Sequence, residues 1–241
     1  MNNQFTSDVI GNNVENIVRN LLISALLECC PPKLISLIEN ESIFINALSY
    51  ASEDLLVFSE KDPAARFDPA IVAAHYSSYR AVLHYRLAHE LFLAAEKNNI
   101  SDLEDCARIV SARGKLLSGA EIHHYCTIGK RFVLDHGIGT VIGETCSIGD
   151  DCYILGGVTM GSMGIANNPS CKRHPTIGDR VEIGAFARLY GNITIGDDVF
   201  IGPHCAIKED ILSGSIVTTR SEKQVIRRNL DFVKRFNSEA V

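Results

Sequence analysis

A chain of 241 residues, 46% apolar and 22% charged, is long enough for one large domain or two small ones with a substantial core. Its net charge of −6 gives no electrostatic footing for binding nucleic acid. No apolar run approaches the ~18 residues of a membrane span and no basic-then-apolar leader opens the chain, so a cytoplasmic protein is expected.

Residues 1 to about 12 are polar and expected to be loosely held. From Val14, apolar residues recur at helical spacing through Leu26, and Pro31-Pro32 ends that helix. A second helix is expected through Leu34 to Ile38 and a third from about Ile43 to Phe58. Two Asp-Pro pairs, Asp62-Pro63 and Asp68-Pro69, favour turns and helix starts. One long helical stretch then reaches about Lys97, and Ser101 with Glu104 three residues on has a capping-box pattern opening another helix. That helix is expected to fade near Gly114 to Gly119. His84 and His89 lie on helices and are expected to be packing or surface residues rather than ligands. These helices form a first domain over 1–117.

From Ile122 onward the chain keeps a period of six. Ile122, Ile128 and Leu134 form one set, then a two-residue slip leads to Ile142, Ile148, Ile154 and Met160. After an interruption the period resumes with Ile177, Ile183, Leu189, Ile195, Ile201, Ile207 and Ser213. Glycine often follows these positions, and a small or apolar residue sits four places on. Cys126, Cys146, Cys152 and Cys205 share that second phase with Val158, Val181, Ile211 and Val217, so they read as buried fillers rather than redox or metal thiols. Such a period describes a short strand and a turn, repeated and stacked into a solenoid with one continuous core. This second domain is expected over 118–219, with a basic, helix-like tail over 220–241.

Two irregularities mark the chemistry. One is the slip at Gly137 to Thr140, directly after Asp135-His136; the other is the loop from about Met163 to His174. A hydroxyl attacking a thioester must lose a proton, and His136 is suited to accept it near neutral pH. Glu121 lies 15 residues earlier, close to one coil of about 18, so the two can share a corner, and a carboxylate there would orient the imidazole.

The aliphatic-Gly-x-x-small-x repeat resembles the left-handed parallel β-helix of hexapeptide acyltransferases. Leu134-Asp135-His136-Gly137-Ile138-Gly139-Thr140-Val141-Ile142-Gly143-Glu144-Thr145 is similar to the active-site segment of the serine O-acetyltransferases. So are Glu121-Ile122-His123, Gly157-Val158-Thr159-Met160-Gly161 and Arg173-His174-Pro175-Thr176-Ile177, and Asp62-Pro63-Ala64 and Tyr85 to His89 resemble the family's helical domain. The resemblance implies an α+β chain, N-terminal α-helical domain then left-handed β-helix, that moves acetyl from acetyl-CoA to the L-serine hydroxyl for cysteine biosynthesis. It implies His136 as general base, Glu121 as its partner, and Asp62 and Asp135 on the substrate amine, with Asp68 competing for the role of Asp62. Arg173 would hold the substrate carboxylate and His174 the substrate or oxyanion. The acetyl-CoA arm would run past Gly161, Ser162, Gly184 and Ala185, and no metal would be needed. A homotrimer, or two trimers paired through the helices, is implied.

The chain departs from the family in places. Gly161-Ser162-Met163-Gly164 replaces the usual Gly-Gly-Thr-Gly, Gly156 stands where a polar residue is common, and Pro203 stands where a small residue is common. The usual short tail ending in Ile is replaced by Lys223 to Val241, which weakens the expectation of docking to cysteine synthase. Another acceptor, such as homoserine, or another acyl group is the close alternative. A zinc hydratase using His136, His174 and His204 between subunits, as in hexapeptide carbonic anhydrases, is an alternative of another class, and a non-catalytic assembly protein is a third.

Overall fold

In the computed structural model, which describes residues 2–38 and 42–220, six helices precede a triangular coil of parallel strands. The expected helical tail lies outside the described residues, apart from residue 220. Helix α1 spans Asn2–Cys29, so it starts well ahead of the first stripe residue, Val14, where a loose segment was expected. Helices α2 (Pro32–Ile38) and α3 (Ser42–Lys61) follow as the apolar spacing predicts. Both Asp-Pro pairs cap helical turns. Asp62 accepts from the Ala64 N–H at 2.9 Å before a 3₁₀ turn over Pro63–Ala65, and Asp68 accepts from the Ala70 N–H at 2.9 Å before α4, Pro69–His75.

The single helix expected to Lys97 is broken at Tyr76, whose extended backbone separates α4 from α5 (Ser77–Asn98). The capping box at Ser101 does not form. Ile100 is the cap residue of α6 (Ser101–Ser118) and gives no side-chain bond, while Glu104 accepts from Tyr125 Oη at 2.5 Å and pairs with Arg108. Helix α6 ends inside the range expected for it, with Gly119 as its left-handed cap. It runs on to Ser118, because Gly114 is where α5 crosses: a Cβ there would lie 2.8 Å from the Cβ of His84.

Strands of two or three residues then stack in three parallel sheets. The first sheet holds Glu121–Ile122, Val141–Ile142, Thr159–Gly161, Arg188–Tyr190 and Ala206–Ile207. The second holds Thr127–Ile128, Ser147–Ile148, Thr176–Ile177 and Thr194–Ile195, and the third Val133–Leu134, Tyr153–Ile154, Glu182–Ile183, Phe200–Ile201 and Ile216–Val217. This is a left-handed parallel β-helix. Equal side chains stack in register, with Ile122 on Ile142 on Met160 and Ile128 on Ile148 on Ile177. Cys126, Cys146, Cys152 and Cys205 are free and buried among them, as the phase predicts. The phase fails at the last coil. Ile211 bridges Ile195, and Val217 pairs with Ile201, so these two take strand positions and Ser213 does not.

The corner between the second and third sheets explains the glycines that follow the aliphatic residues there. Asp150 accepts from the Lys130 N–H at 2.7 Å, Asp179 from Asp150 at 2.8 Å, Asp197 from Asp179 at 2.9 Å, and the Ser213 hydroxyl from Asp197 at 3.0 Å. Each carboxylate crosses a glycine one coil below: a Cβ at Gly149 would lie 2.2 Å from Asp179 Oδ1.

The helices have their own core, and α5 also lends Ala81, Val82 and Tyr85 to the core of the coil. The joint between them is polar. Arg86 on α5 is 4% exposed and forks onto Asp54 of α3 at 2.8 and 3.1 Å, and it donates to the carbonyls of Ile128 at 2.6 Å and Gly129 at 2.5 Å. Asp54 also accepts the Phe132 N–H at 2.8 Å. Burial raises the Asp54 pKa, and the guanidinium and that N–H oppose the rise. No helix among the described residues is long and apolar enough to cross a membrane.

Two predictions test this frame. Asp54→Ala strands the buried guanidinium and is expected to cost about 3–5 kcal/mol in urea unfolding, whereas Asp54→Leu with Arg86→Met recovers most of it. A loss below ~1 kcal/mol for the single change refutes the joint. The second concerns His124, which is 6% exposed with no partner for Nε2 and has its pKa lowered to about 4 by burial and by His123. Above pH 6.5, its ordinary value, both folded and unfolded states hold it neutral. Below that the unfolded chain binds a proton the fold refuses, so stability falls toward about pH 4. Denaturation midpoints measured across this range are expected to depend less on pH in His124→Gln.

Candidate active site

The corner from the third sheet back to the first carries His136. The slip lengthens it, and His136, Gly137 and Gly139 all take positive φ, at 62°, 71° and 77°. Gly137 must be glycine, because a Cβ there would lie 2.9 Å from the Cβ of Ser78 in the first turn of α5. That close approach brings the helices over the corner. A cavity of about 510 Å³ opens between them, lined by Asp62, His75, Tyr76, Ser78, Asp135, His136 and Ile138, among others.

Two tyrosines hold its carboxylates. Tyr76 Oη donates to Asp62 Oδ2 at 2.7 Å, and Tyr153 Oη donates to Asp135 Oδ2 at 3.1 Å. The bond to Asp62 and burial push the Tyr76 hydroxyl up to about 12, so it stays a donor. The break at Tyr76 thus has a purpose that helical spacing hides: it turns this hydroxyl onto Asp62. Asp68, the competing acid, lies in a separate groove with Val14, Ile17 and Phe67.

His136 has a side chain 83% exposed, with Nε2 3.8 Å from Asp135 Oδ2. Glu121 stands at the same corner, where its N–H donates to the Thr140 carbonyl at 2.9 Å. Its carboxylate, however, pairs with Lys115 of α6. Within one chain Glu121 is therefore engaged elsewhere, and Asp135 is the acid in ion-pair range of the His136 ring among the described residues.

Arg173 and His174 sit at a different corner, where chain leaves the first sheet for the second. Arg173 pairs with Glu144, which lowers the Glu144 pKa. His174 is 8% exposed and lies across Gly143, where a Cβ would be 2.3 Å from its Nε2. Its Nδ1 accepts the Thr145 N–H at 3.1 Å, so the Nε2 edge carries the hydrogen and can donate. Burial, Arg173 and Lys172 lower its pKa and keep it neutral near pH 7. The spacing of residues singled out Arg173 and His174. It gave no role to Glu144 and Thr145, although both stand in the segment that resembles the family.

The proposed acyl-carrier residues divide the same way. Gly161 and Ser162 leave the first sheet at the corner of Arg173, with Ser162 Oγ donating to the Gly164 carbonyl at 3.0 Å. Gly184 and Ala185 lie at the corner of His136, two coils on. Pro203 packs on Gly184 without breaking the ladder, since the Gly184 N–H reaches Ile201 O at 2.7 Å and the His204 N–H reaches Ala185 O at 3.0 Å. His204 stacks on Phe186 at 5.3 Å, so His136 and His204 lie at one corner and His174 at another. Among the described residues no group of three His, Cys, Asp or Glu is placed to hold a metal ion.

Residues 174–209 match the bacterial transferase hexapeptide (six repeats) model. A serine acetyltransferase of Helicobacter pylori is 39% identical over 180 residues, covering 75% of this chain and 97% of that protein. One from Staphylococcus aureus is 39% identical over 165 residues, covering 68% of this chain and 72% of that protein. Among solved structures, serine acetyltransferase isoform 3 of Entamoeba histolytica in complex with cysteine aligns with TM-score 0.67 at 32% identity, over 94% of this chain and 76% of that one. The soybean enzyme complexed with serine aligns with TM-score 0.69 at 27% identity, over 82% of this chain and 79% of that one. With a relative of this identity covered almost end to end, the chain belongs to the serine acetyltransferase family.

Proposed function

We propose that this protein is a serine O-acetyltransferase that uses acetyl-CoA and supplies O-acetylserine for cysteine synthesis in the cytoplasm. The observation that carries the reading is the cavity in which His136 shares one wall with two tyrosine-anchored carboxylates, Asp62 and Asp135. The ammonium of serine is held by these acids, and its carboxylate by the Arg173 fork. His136 takes the hydroxyl proton as that oxygen attacks the thioester carbonyl. The Nε2–H of His174 stabilises the oxyanion of the tetrahedral adduct. As the adduct collapses the C–S bond breaks, and the sulfur takes the proton from His136.

The two halves of this site sit at opposite ends of the strands of the first sheet, so one chain does not close it. We infer that a neighbouring copy brings its Arg173 corner to this His136 corner, with the arm of acetyl-CoA lying between Gly161 and Ser162 of one copy and Gly184 and Ala185 of the other. Ring closure then gives a homotrimer, and the helices are free to pair two trimers. In such an assembly Glu121 exchanges Lys115 for the His136 ring. We infer two domains, 1–117 and 118–219, because most helical and most coil side chains pack in separate cores, with Ala81, Val82 and Tyr85 of α5 crossing between them.

His136→Ala is expected to lower kcat for thiol release from acetyl-CoA plus serine by about 10²–10⁴-fold with little change in KM. Full activity in that variant defeats the assignment. Mixing His136→Ala with Arg173→Ala subunits after co-refolding is expected to regain activity that neither has alone, and no regain rules out a shared site. A screen of acetyl-CoA and succinyl-CoA against serine, homoserine and threonine fixes the donor and acceptor, and turnover of homoserine in preference to serine overturns the substrate assignment.

A further inference from the structure

We infer that Thr145 is a positioning residue that fixes which edge of the His174 ring faces the substrate, a role that rests on the reading of His174 given above. Every polar atom of Thr145 is engaged by the returning end of the 162–175 loop. Its carbonyl accepts from Lys172 Nζ at 2.6 Å. Its Oγ1 accepts the N–H groups of Arg173 at 3.0 Å and His174 at 3.1 Å. With two donors already on that oxygen, its own hydrogen is free to point to the acceptor beside it, His174 Nδ1, at 2.9 Å. The Thr145 N–H reaches the same nitrogen at 3.1 Å.

An imidazole nitrogen that meets two donors cannot carry a hydrogen itself. The ring is thereby held neutral, with its hydrogen on Nε2. Protonation at Nδ1 would set a new N–H against both Thr145 donors. The charged and titratable neighbours act on the ring in both directions: Arg173, Lys172 and His123 oppose a positive charge there, while Glu144 favours it and is itself tied to Arg173. His123 lies one coil before Thr145 and two before His174, with its own Nδ1 taken by the Tyr125 N–H at 3.1 Å. The consequence is a division of labour between two histidines. His174 donates to an oxyanion and cannot take the hydroxyl proton, which leaves that task to His136.

The test compares Thr145→Val and Thr145→Ser in the full-length protein. Nitrogen-detected NMR, with His174 assigned through His174→Gln, reads the tautomer and its titration. The pH profile of thiol release from acetyl-CoA plus serine reads the function. Wild type and Thr145→Ser are expected to show the Nε2–H form and the same titration. In Thr145→Val the His174 titration is expected to rise by about one pH unit. With the ring no longer held in one tautomer, kcat should fall about 10–100-fold while KM for acetyl-CoA stays within a few-fold. An Nδ1–H tautomer in wild type overturns the proposal, and this holds even if Thr145→Val does not fold. So does a Thr145→Val protein whose activity falls with its His174 titration unmoved, or a Thr145→Ser protein that behaves like the valine variant. Absence of acyl transfer by wild type would defeat the functional reading instead, and the NMR comparison would still decide the role of Thr145.

Discussion

One guanidinium holds the two halves of this molecule in register. Arg86 meets Asp54 within the helices and two carbonyls, of Ile128 and Gly129, in the first turn of the coil. A carbonyl at the open end of a solenoid has no coil beyond it to supply a donor. Here a charged side chain supplies it, and the Asp54 carboxylate returns the favour to the Phe132 N–H. Such a buried pair contributes little net stability beside an apolar contact of the same shape, but its geometry tolerates no slippage. Placement of the helices over His136 depends on it, and so does the cavity.

That placement decides which acids line the cavity. The coil alone offers Asp135 and His136 on an open corner. The helices add Asp62 and the hydroxyl that holds it, Tyr76. His136 stays 83% exposed, yet it lines an open cleft beneath the helices because Gly137 lets Ser78 come close. Rigid repeats position His136, and a less regular helical cap adds Asp62 and Tyr76 beside it.

Much of this was legible in the residues. Stacking requires like residues at equal steps, so the period of six, the buried cysteines and the two irregular points all appear in the chain itself. The helical stripes and both Asp-Pro caps were equally plain. What escaped was set by contacts between distant segments. Tyr76 breaks a helix whose spacing continues unbroken, because its hydroxyl has a partner 14 residues back. Ser101 has the pattern of a cap, yet Glu104 is drawn away by Tyr125 and Arg108. Ile211 stood in a filler phase, yet a shortened corner brings it into an isolated bridge with Ile195, with Asp210 accepting the Thr194 N–H at 2.7 Å. The engagement of Glu121 with Lys115 belongs to the same class.

The three edges of the coil differ in how much variation they accept. Along the aspartate edge every step keeps six residues, from Ile128 to Leu134, Ile148 to Ile154, Ile177 to Ile183, Ile195 to Ile201 and Ile211 to Val217. The slip, the long loop and the final contraction all fall on the other two. A carboxylate that must reach a backbone N–H one coil below leaves no room for an extra residue, so this edge works as a spine. Anyone refitting the scaffold, whether to graft a peptide, attach a label or lengthen a binding loop, has two edges to write on and one to leave alone. The same two edges hold His136 and His174.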